Sequence, residues 1–223
     1  MPALSSLPLT APPEALAILR LSALGDVCHT VPIVRTLSAV WPETELVWIV
    51  GVREHALLAG LEGVHLLPYP KHGTRAQRRQ ALAPLACREF PVLLQLQPAL
   101  RASLLARRLR ARLRVGFDRA RGRDAQWLFT NVRIPPAPAG RVPHVVDTFF
   151  AFLETLGIER RVLRWDIPVP DAAWDEAQVA NLVDGDHIRR QMRLIAMQRA
   201  EALRMRLFLD KARARLPRPL IEL

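Results

Sequence analysis

The sequence predicts an α/β fold, a parallel sheet with helices on both faces. Two observations carry that expectation. Short apolar runs alternate with longer stretches of helical periodicity from Ala15 to Gly157. Half of the 223 residues are hydrophobic, which is enough for one good core and the start of a second domain.

The elements follow in order. Ala15–Leu21 (ALAILRL) reads as a first strand, and Ile33, Leu37, Val40 and Trp41 then recur at the three- and four-residue spacing of one helical stripe. Pro32 suits a helix start, which places the N-cap at Thr30. Glu45–Val50 reads as a second strand, Arg53–Leu61 as a short helix and Val64–Leu67 as a third, weaker strand. Arg75–Arg88 reads as a basic helix interrupted near Pro84, and Pro91–Leu96 as a fourth strand. Arg101–Leu113 is expected to be a helix with Leu104, Leu105 and Leu109 facing inward, and Leu113–Phe117 a fifth strand. His144–Leu156 reads as a helix stopped by Gly157. Beyond it, Trp165–Pro170 is a proline-bounded extended piece, Asp171–Val183 an acidic and moderately helical run, and Asp186–Arg215 a long arginine-rich helical pattern. Leu216–Leu223 ends the sequence as a strand-like piece.

The net charge of +11 is concentrated. Residues 71–123 carry +12 and residues 184–223 carry +5, while residues 1–70 and 124–183 carry −3 each. Such a patch predicts an anionic partner, whether nucleic acid, phosphorylated lipid or membrane surface, unless it is a pair of solvated arginine-rich helix faces. Two cysteines, Cys28 and Cys87, exclude a disulfide scaffold and suit a reducing compartment. No apolar run approaches the roughly 18 residues of a membrane-spanning helix. The first nineteen residues, with four prolines and no Lys or Arg, read poorly as a signal peptide.

In parallel sheets ligands bind at the carboxyl ends of strands, so the turn after the first strand holds the most information. There Ser22-Ala23-Leu24-Gly25-Asp26-Val27-Cys28-His29-Thr30 combines a flexible glycine with a helix N-terminus, an arrangement that favours an anion or a network of sugar hydroxyls. One glycine is too few for a dinucleotide fingerprint, and no phosphate lysine follows as in a P-loop. Position alone makes Asp26 a helix-start carboxylate; the functional reading makes it a general base pointing into the cleft. His29 is either a capping histidine or a group that orients a ligand or Asp26. Cys28 reads as a small packing residue. No CxxC or HxxxH spacing supports a metal site.

The run ILRLSALGDVCHTVPIVRTLSAVWPETELVWIVG resembles the opening of the bacterial lipopolysaccharide heptosyltransferases, in which a strand leads into a Ser-x-x-Gly-Asp-x-x-His loop and a helix. Pro42–Val50, residues 93–125 (LLQLQPALRASLLARRLRARLRVGFDRARGRDA) and residues 144–158 (HVVDTFFAFLETLGI) continue the similarity, which covers about residues 16–183. The resemblance implies the N-terminal half of a GT-B enzyme, a Rossmann-like domain that holds a Kdo-bearing lipid A acceptor, with ADP-heptose as donor substrate and no cofactor or metal. It makes Asp26 the general base of an inverting transfer. Ser22, Gly25 and His29 would shape the acceptor site, and Arg119 and Arg121 of GFDRAR would contact acceptor carboxylates or phosphates, unless each is simply solvated. It also accounts for the +12 segment, since such an acceptor lies in an anionic leaflet, and it implies a cytoplasmic protein peripheral on the inner membrane.

The domain boundaries expected on this basis are an N-terminal extension over 1–14, the acceptor domain over 15–170, and a helical tail with an incomplete donor domain over 171–223. The Asp186–Arg215 pattern finds no counterpart in the resemblance. With donor-side charge missing, the chain alone is expected to show little transferase activity. The alternatives are an inactive remnant that binds anionic glycolipid or membrane, and a basic nucleic-acid-binding protein. The second is weakened because only Phe90 and Phe117 offer stacking faces in the basic segment. No nucleic acid is therefore expected as a partner, and the residues set no oligomeric state.

Overall fold

A computed structural model describes residues 7–138, 140 and 142–168. The expectations for residues 169–223 lie outside the described residues. Six strands and five helices alternate: β1 (Ala15–Leu19), α1 (Leu24–Val40), β2 (Glu45–Gly51), α2 (Val52–Leu58), β3 (His65–Tyr69), α3 (Arg75–Ala81), β4 (Glu89–Gln95), α4 (Leu100–Ala106), β5 (Arg110–Gly116), β6 (Val132–Arg133) and α5 (Val145–Thr155). The strands form one parallel sheet in the order β3-β2-β1-β4-β5-β6. This is the doubly wound, Rossmann-like arrangement, whose strand order reverses between β1 and β4.

Period-two alternation divides each central strand between two cores. Leu16 and Ile18 of β1, with Trp48 and Val50 of β2, join Val31, Val34 and Leu37 of α1 and Phe149, Phe150 and Phe152 of α5 on one face. Ala17 and Leu19, with Val47 and Ile49, join Leu82, Leu85 and the α4 residues Ala102, Leu105 and Ala106 on the other. Being covered on both faces explains why these strands read as unbroken apolar runs. The rings of Phe117 and Phe152 meet edge to face, 5.0 Å apart. Gly157 adopts φ +95° where α5 ends, a conformation that favours glycine, as the stop signal predicts.

Three expectations are corrected. Helix α1 starts at Leu24, six residues before Thr30, with Ala23 as its N-cap, and Pro32 lies inside it. The Thr30 hydroxyl donates to the Asp26 carbonyl one turn back, 2.9 Å, as an interior helical threonine does. The helix read over Arg101–Leu113 stops at Ala106, and Arg110 already belongs to β5. Of its three inward leucines, Leu105 and Leu109 are buried but Leu104 is 53% exposed. The short strand β6, pairing Val132 with Val115, has no counterpart in the reading above. The piece from Trp165 to Pro168 forms neither helix nor strand.

Candidate active site

The loops after β1 and β4 flank the point where strand order reverses, so a crevice is expected between their carboxyl ends. Asp26 stands in the first turn of α1, where the helix dipole favours an anion. Its carboxylate caps no backbone amide. Instead Oδ2 accepts from the guanidinium of Arg20, the residue that follows β1. About a third of the Asp26 side chain is exposed, and among the described residues Oδ1 accepts no hydrogen bond. One carboxylate oxygen is thus held and the other is free, a geometry suited to taking a proton.

Arg20 is the residue that composition and spacing passed over. It is buried, donates to the Leu96 carbonyl as well as to Asp26, and lies 5.5 Å over the Phe149 ring. Burial lowers its pKa, and the charge of Asp26 with its hydrogen bond works against that fall. A charged residue at the end of an otherwise apolar strand needs a partner, and that requirement was the available signal.

His29 sits one turn after Asp26, half-buried, with its ring edge to face with His144 at 5.5 Å. Burial lowers its pKa; His144 and Arg20 add to the effect and Asp26 opposes it. The neutral imidazole is therefore the favoured form, and its buried Nδ1 has no hydrogen-bond partner among the described residues. His144 caps α5, its Nδ1 accepting from the Val146 amide at 3.2 Å. The second turn of α1 and the N-cap of α5 thus meet through this histidine pair. Cys28 is buried and its thiol is pushed up to about 11 by burial, which agrees with packing rather than nucleophilic chemistry.

Glutamines from two loops brace the turn. Gln97 Oε1 accepts from the Leu21 amide at 2.8 Å, and its Nε2 reaches the Ser22 hydroxyl at 3.4 Å. The buried Gln126 donates to the Gln95 and Gln97 carbonyls (3.1 and 3.3 Å) and accepts from the Phe117 amide (3.1 Å). These contacts tie the loops after β1, β4 and β5 into one unit. Gly25 is half-buried at the second helical position.

The two arginines of GFDRAR diverge. Arg121 is tied to Asp118 and to the Pro135 carbonyl. Burial acts to raise the Asp118 pKa, but the amides of Arg121 and Ala120 and the Arg121 guanidinium outweigh it and hold it below the ordinary carboxylate range. Arg121 therefore shapes its own loop. Arg119 is exposed and lies 5.2 Å over the Trp127 ring, and among the described residues it makes no ion pair. Among the described residues, no three His, Cys, Asp or Glu side chains are grouped to hold a metal ion.

Residues 78–198 match the model of glycosyltransferase family 9, the heptosyltransferases. The chain belongs to that family. The match reaches residue 198, so the first part of the Asp186–Arg215 pattern does have a family counterpart, contrary to the expectation above. The chain is 38% identical over 160 residues to the lipopolysaccharide core heptosyltransferase OpsX of Haemophilus influenzae, covering 72% of this chain and 45% of that one. Its fold is similar to E. coli heptosyltransferase WaaC solved with ADP, with a TM-score of 0.58, 19% identity, and coverage of 69% of this chain and 51% of that one. It is also similar to E. coli ADP-heptose lps heptosyltransferase II, with a TM-score of 0.55, 17% identity, and coverage of 71% and 47%. The chain spans about half the length of these relatives.

Proposed function

We propose that this family 9 chain supplies the acceptor side of a heptosyltransferase of the lipopolysaccharide core, which moves heptose from ADP-heptose to a Kdo-lipid A acceptor with inversion. What supports the reading is the half-held Asp26 carboxylate at the switch point, in a chain that belongs to family 9 and is 38% identical to a core heptosyltransferase. In this reading the free Asp26 oxygen takes the proton of the acceptor hydroxyl as that oxygen bonds to the anomeric carbon. The bond from the anomeric carbon to the diphosphate breaks on the opposite face, and ADP leaves with the electron pair. A carboxylate is a weak base, so proton removal must run together with departure of ADP. Ser22 and His29 line the approach, and Arg119 supplies positive charge for acceptor carboxylates or phosphates. WaaC has been solved with ADP, which supports a nucleotide-sugar donor for this chain as well. Positive charge over residues 71–123 supports contact with the anionic inner-membrane face.

The test measures Kdo-lipid A binding and acceptor-dependent ADP release side by side. The reading expects amide shifts at Ser22, Gly25 and His29 when acceptor is added, and whatever ADP release is measured is expected to fall by about 10²–10⁴-fold in Asp26→Ala. Acceptor binding that leaves this turn unperturbed, or ADP release unchanged in Asp26→Ala, refutes it.

A further inference from the structure

Four large apolar side chains are exposed around the carboxyl ends of β4 and β5: Leu100 (46%), Leu104 (53%), Trp127 (41%) and Leu128 (64%). Leu100 and Leu104 are one turn apart on α4 and so share a face. Trp127 and Leu128 form a single 3-10 turn with Gln126, whose side chain fixes that turn to the Gln95 and Gln97 carbonyls. The two groups are joined across the sequence, since Asp124 Oδ2 accepts from the Leu100 amide at 3.0 Å. Positive charge surrounds them. Arg101, Arg119 and Arg123 are exposed, and among the described residues none makes an ion pair.

We propose that Leu100, Leu104, Trp127 and Leu128 insert into the interface of an anionic lipid leaflet, with Arg101 and Arg123 on its headgroups. The proposal rests on the membrane side of the reading above and adds insertion, and the inserting residues, to what was a matter of charge alone. Its occupant is argued from charge complementarity. An apolar cluster ringed by unpaired arginines suits a surface with acyl chains beneath and negative charge above. Trp127 has the amphipathic indole that settles at headgroup level. Location agrees: Gln97 contacts both the Ser22 turn and, through its carbonyl, Gln126, so the patch adjoins the turn that carries Asp26. A membrane-anchored acceptor would then meet the carboxylate without leaving its leaflet.

The test uses the full chain with vesicles of mixed phosphatidylcholine and phosphatidylglycerol, by co-sedimentation at low and high salt. A fluorescent label on Leu128→Cys, in a Cys87→Ser background, is expected to shift to the blue on binding. The same label on Glu43→Cys, just before β2 begins at the opposite end of the sheet, is expected to stay unchanged. Arg101→Gln and Arg123→Gln are each expected to weaken low-salt binding about fivefold. Leu104→Ser with Leu128→Ser is expected to weaken the binding that survives high salt by about tenfold. Because both leucines are exposed, circular dichroism should show these variants folded.

A silent label at Leu128→Cys, complete release of the wild type by salt, or unchanged binding of the double serine variant overturns the proposal. So does a change of oligomeric state in the serine variant by light scattering, which would assign the patch to a second copy of the chain. Acceptor binding that leaves the Ser22–His29 turn unperturbed, with vesicle insertion intact, counts against the transfer reading and supports this one.

Discussion

Replacing Arg20 with methionine tests whether the buried guanidinium organises the turn. Methionine keeps most of the aliphatic stem and removes three interactions. The Leu96 carbonyl loses its side-chain donor, worth about 1–2 kcal/mol when the group stays buried. The contact over Phe149 contributes about 0.5–1 kcal/mol more. The pair with Asp26 adds little, about 0–1 kcal/mol, because a third of that carboxylate is exposed and water replaces part of what is lost. Losing a buried charge returns some of this, since the desolvation that depresses the Arg20 pKa disappears with it. The expected net loss is about 1–3 kcal/mol, read as a lower urea midpoint with unchanged slope. A double-mutant cycle with Asp26→Asn isolates the pair itself, and a coupling of about 0.5–1 kcal/mol is expected. Arg20→Met as stable as wild type, with coupling near zero, would show that the guanidinium merely fills space and that Asp26 is not held by it.

Two further outcomes follow from the same geometry. His29 has a pKa lowered in the folded state by burial, next to His144, Arg20 and Asp26, so the unfolded chain binds the proton more readily. Stability is therefore expected to fall as pH drops below the ordinary histidine value of about 6.5. The fall should stop contributing below the depressed folded value, and His29→Gln should flatten that part of the pH-stability curve; an unchanged slope counts against the buried neutral histidine. Gly51→Ala is expected to cost about 1–3 kcal/mol in chemical denaturation. A Cβ there would lie 2.1 Å from Glu54 Oε2 and 2.5 Å from the Leu21 carbonyl, and the backbone oxygen cannot swing aside as the side chain can. A neutral effect would mean that the β1–β2 ends separate freely.

The fold was legible because strands buried on both faces leave a strong mark: Ala15–Leu19 and Glu45–Gly51 hold almost nothing polar. Boundaries failed where two periodicities overlap. In residues 100–116 leucines recur at helical spacing, yet Arg110, Arg112 and Arg114 alternate with Ala111, Leu113 and Val115 in the period of a strand, and the strand period holds from Arg110 onward. Pro32 misled in a different way. Proline suits a first turn, but α1 is packed along Val27, Val31, Val34 and Leu37, and that burial carries the helix through the lost amide bond.

The candidate site was legible at Asp26 but not in the residues that hold it. A Ser-x-x-Gly-Asp-x-x-His turn draws attention to Asp26 because each residue has known chemistry. Arg20, Gln97, Gln126 and His144 act through partners that lie from 6 to 115 positions away in the chain, and no local pattern announces a contact of that kind. One signal is nonetheless general. A polar residue inside or just after an apolar strand seeks partners, and at the carboxyl ends of β1 and β4 Arg20 finds the Leu96 carbonyl and Asp26 while Gln95 donates to the Ser103 hydroxyl of α4. Arg20 and Gln95 both break an apolar run there, and both mark the switch point between the two halves of the sheet. In β1 and β4 the polar residues that close the apolar runs therefore mark the strand ends where the candidate site lies.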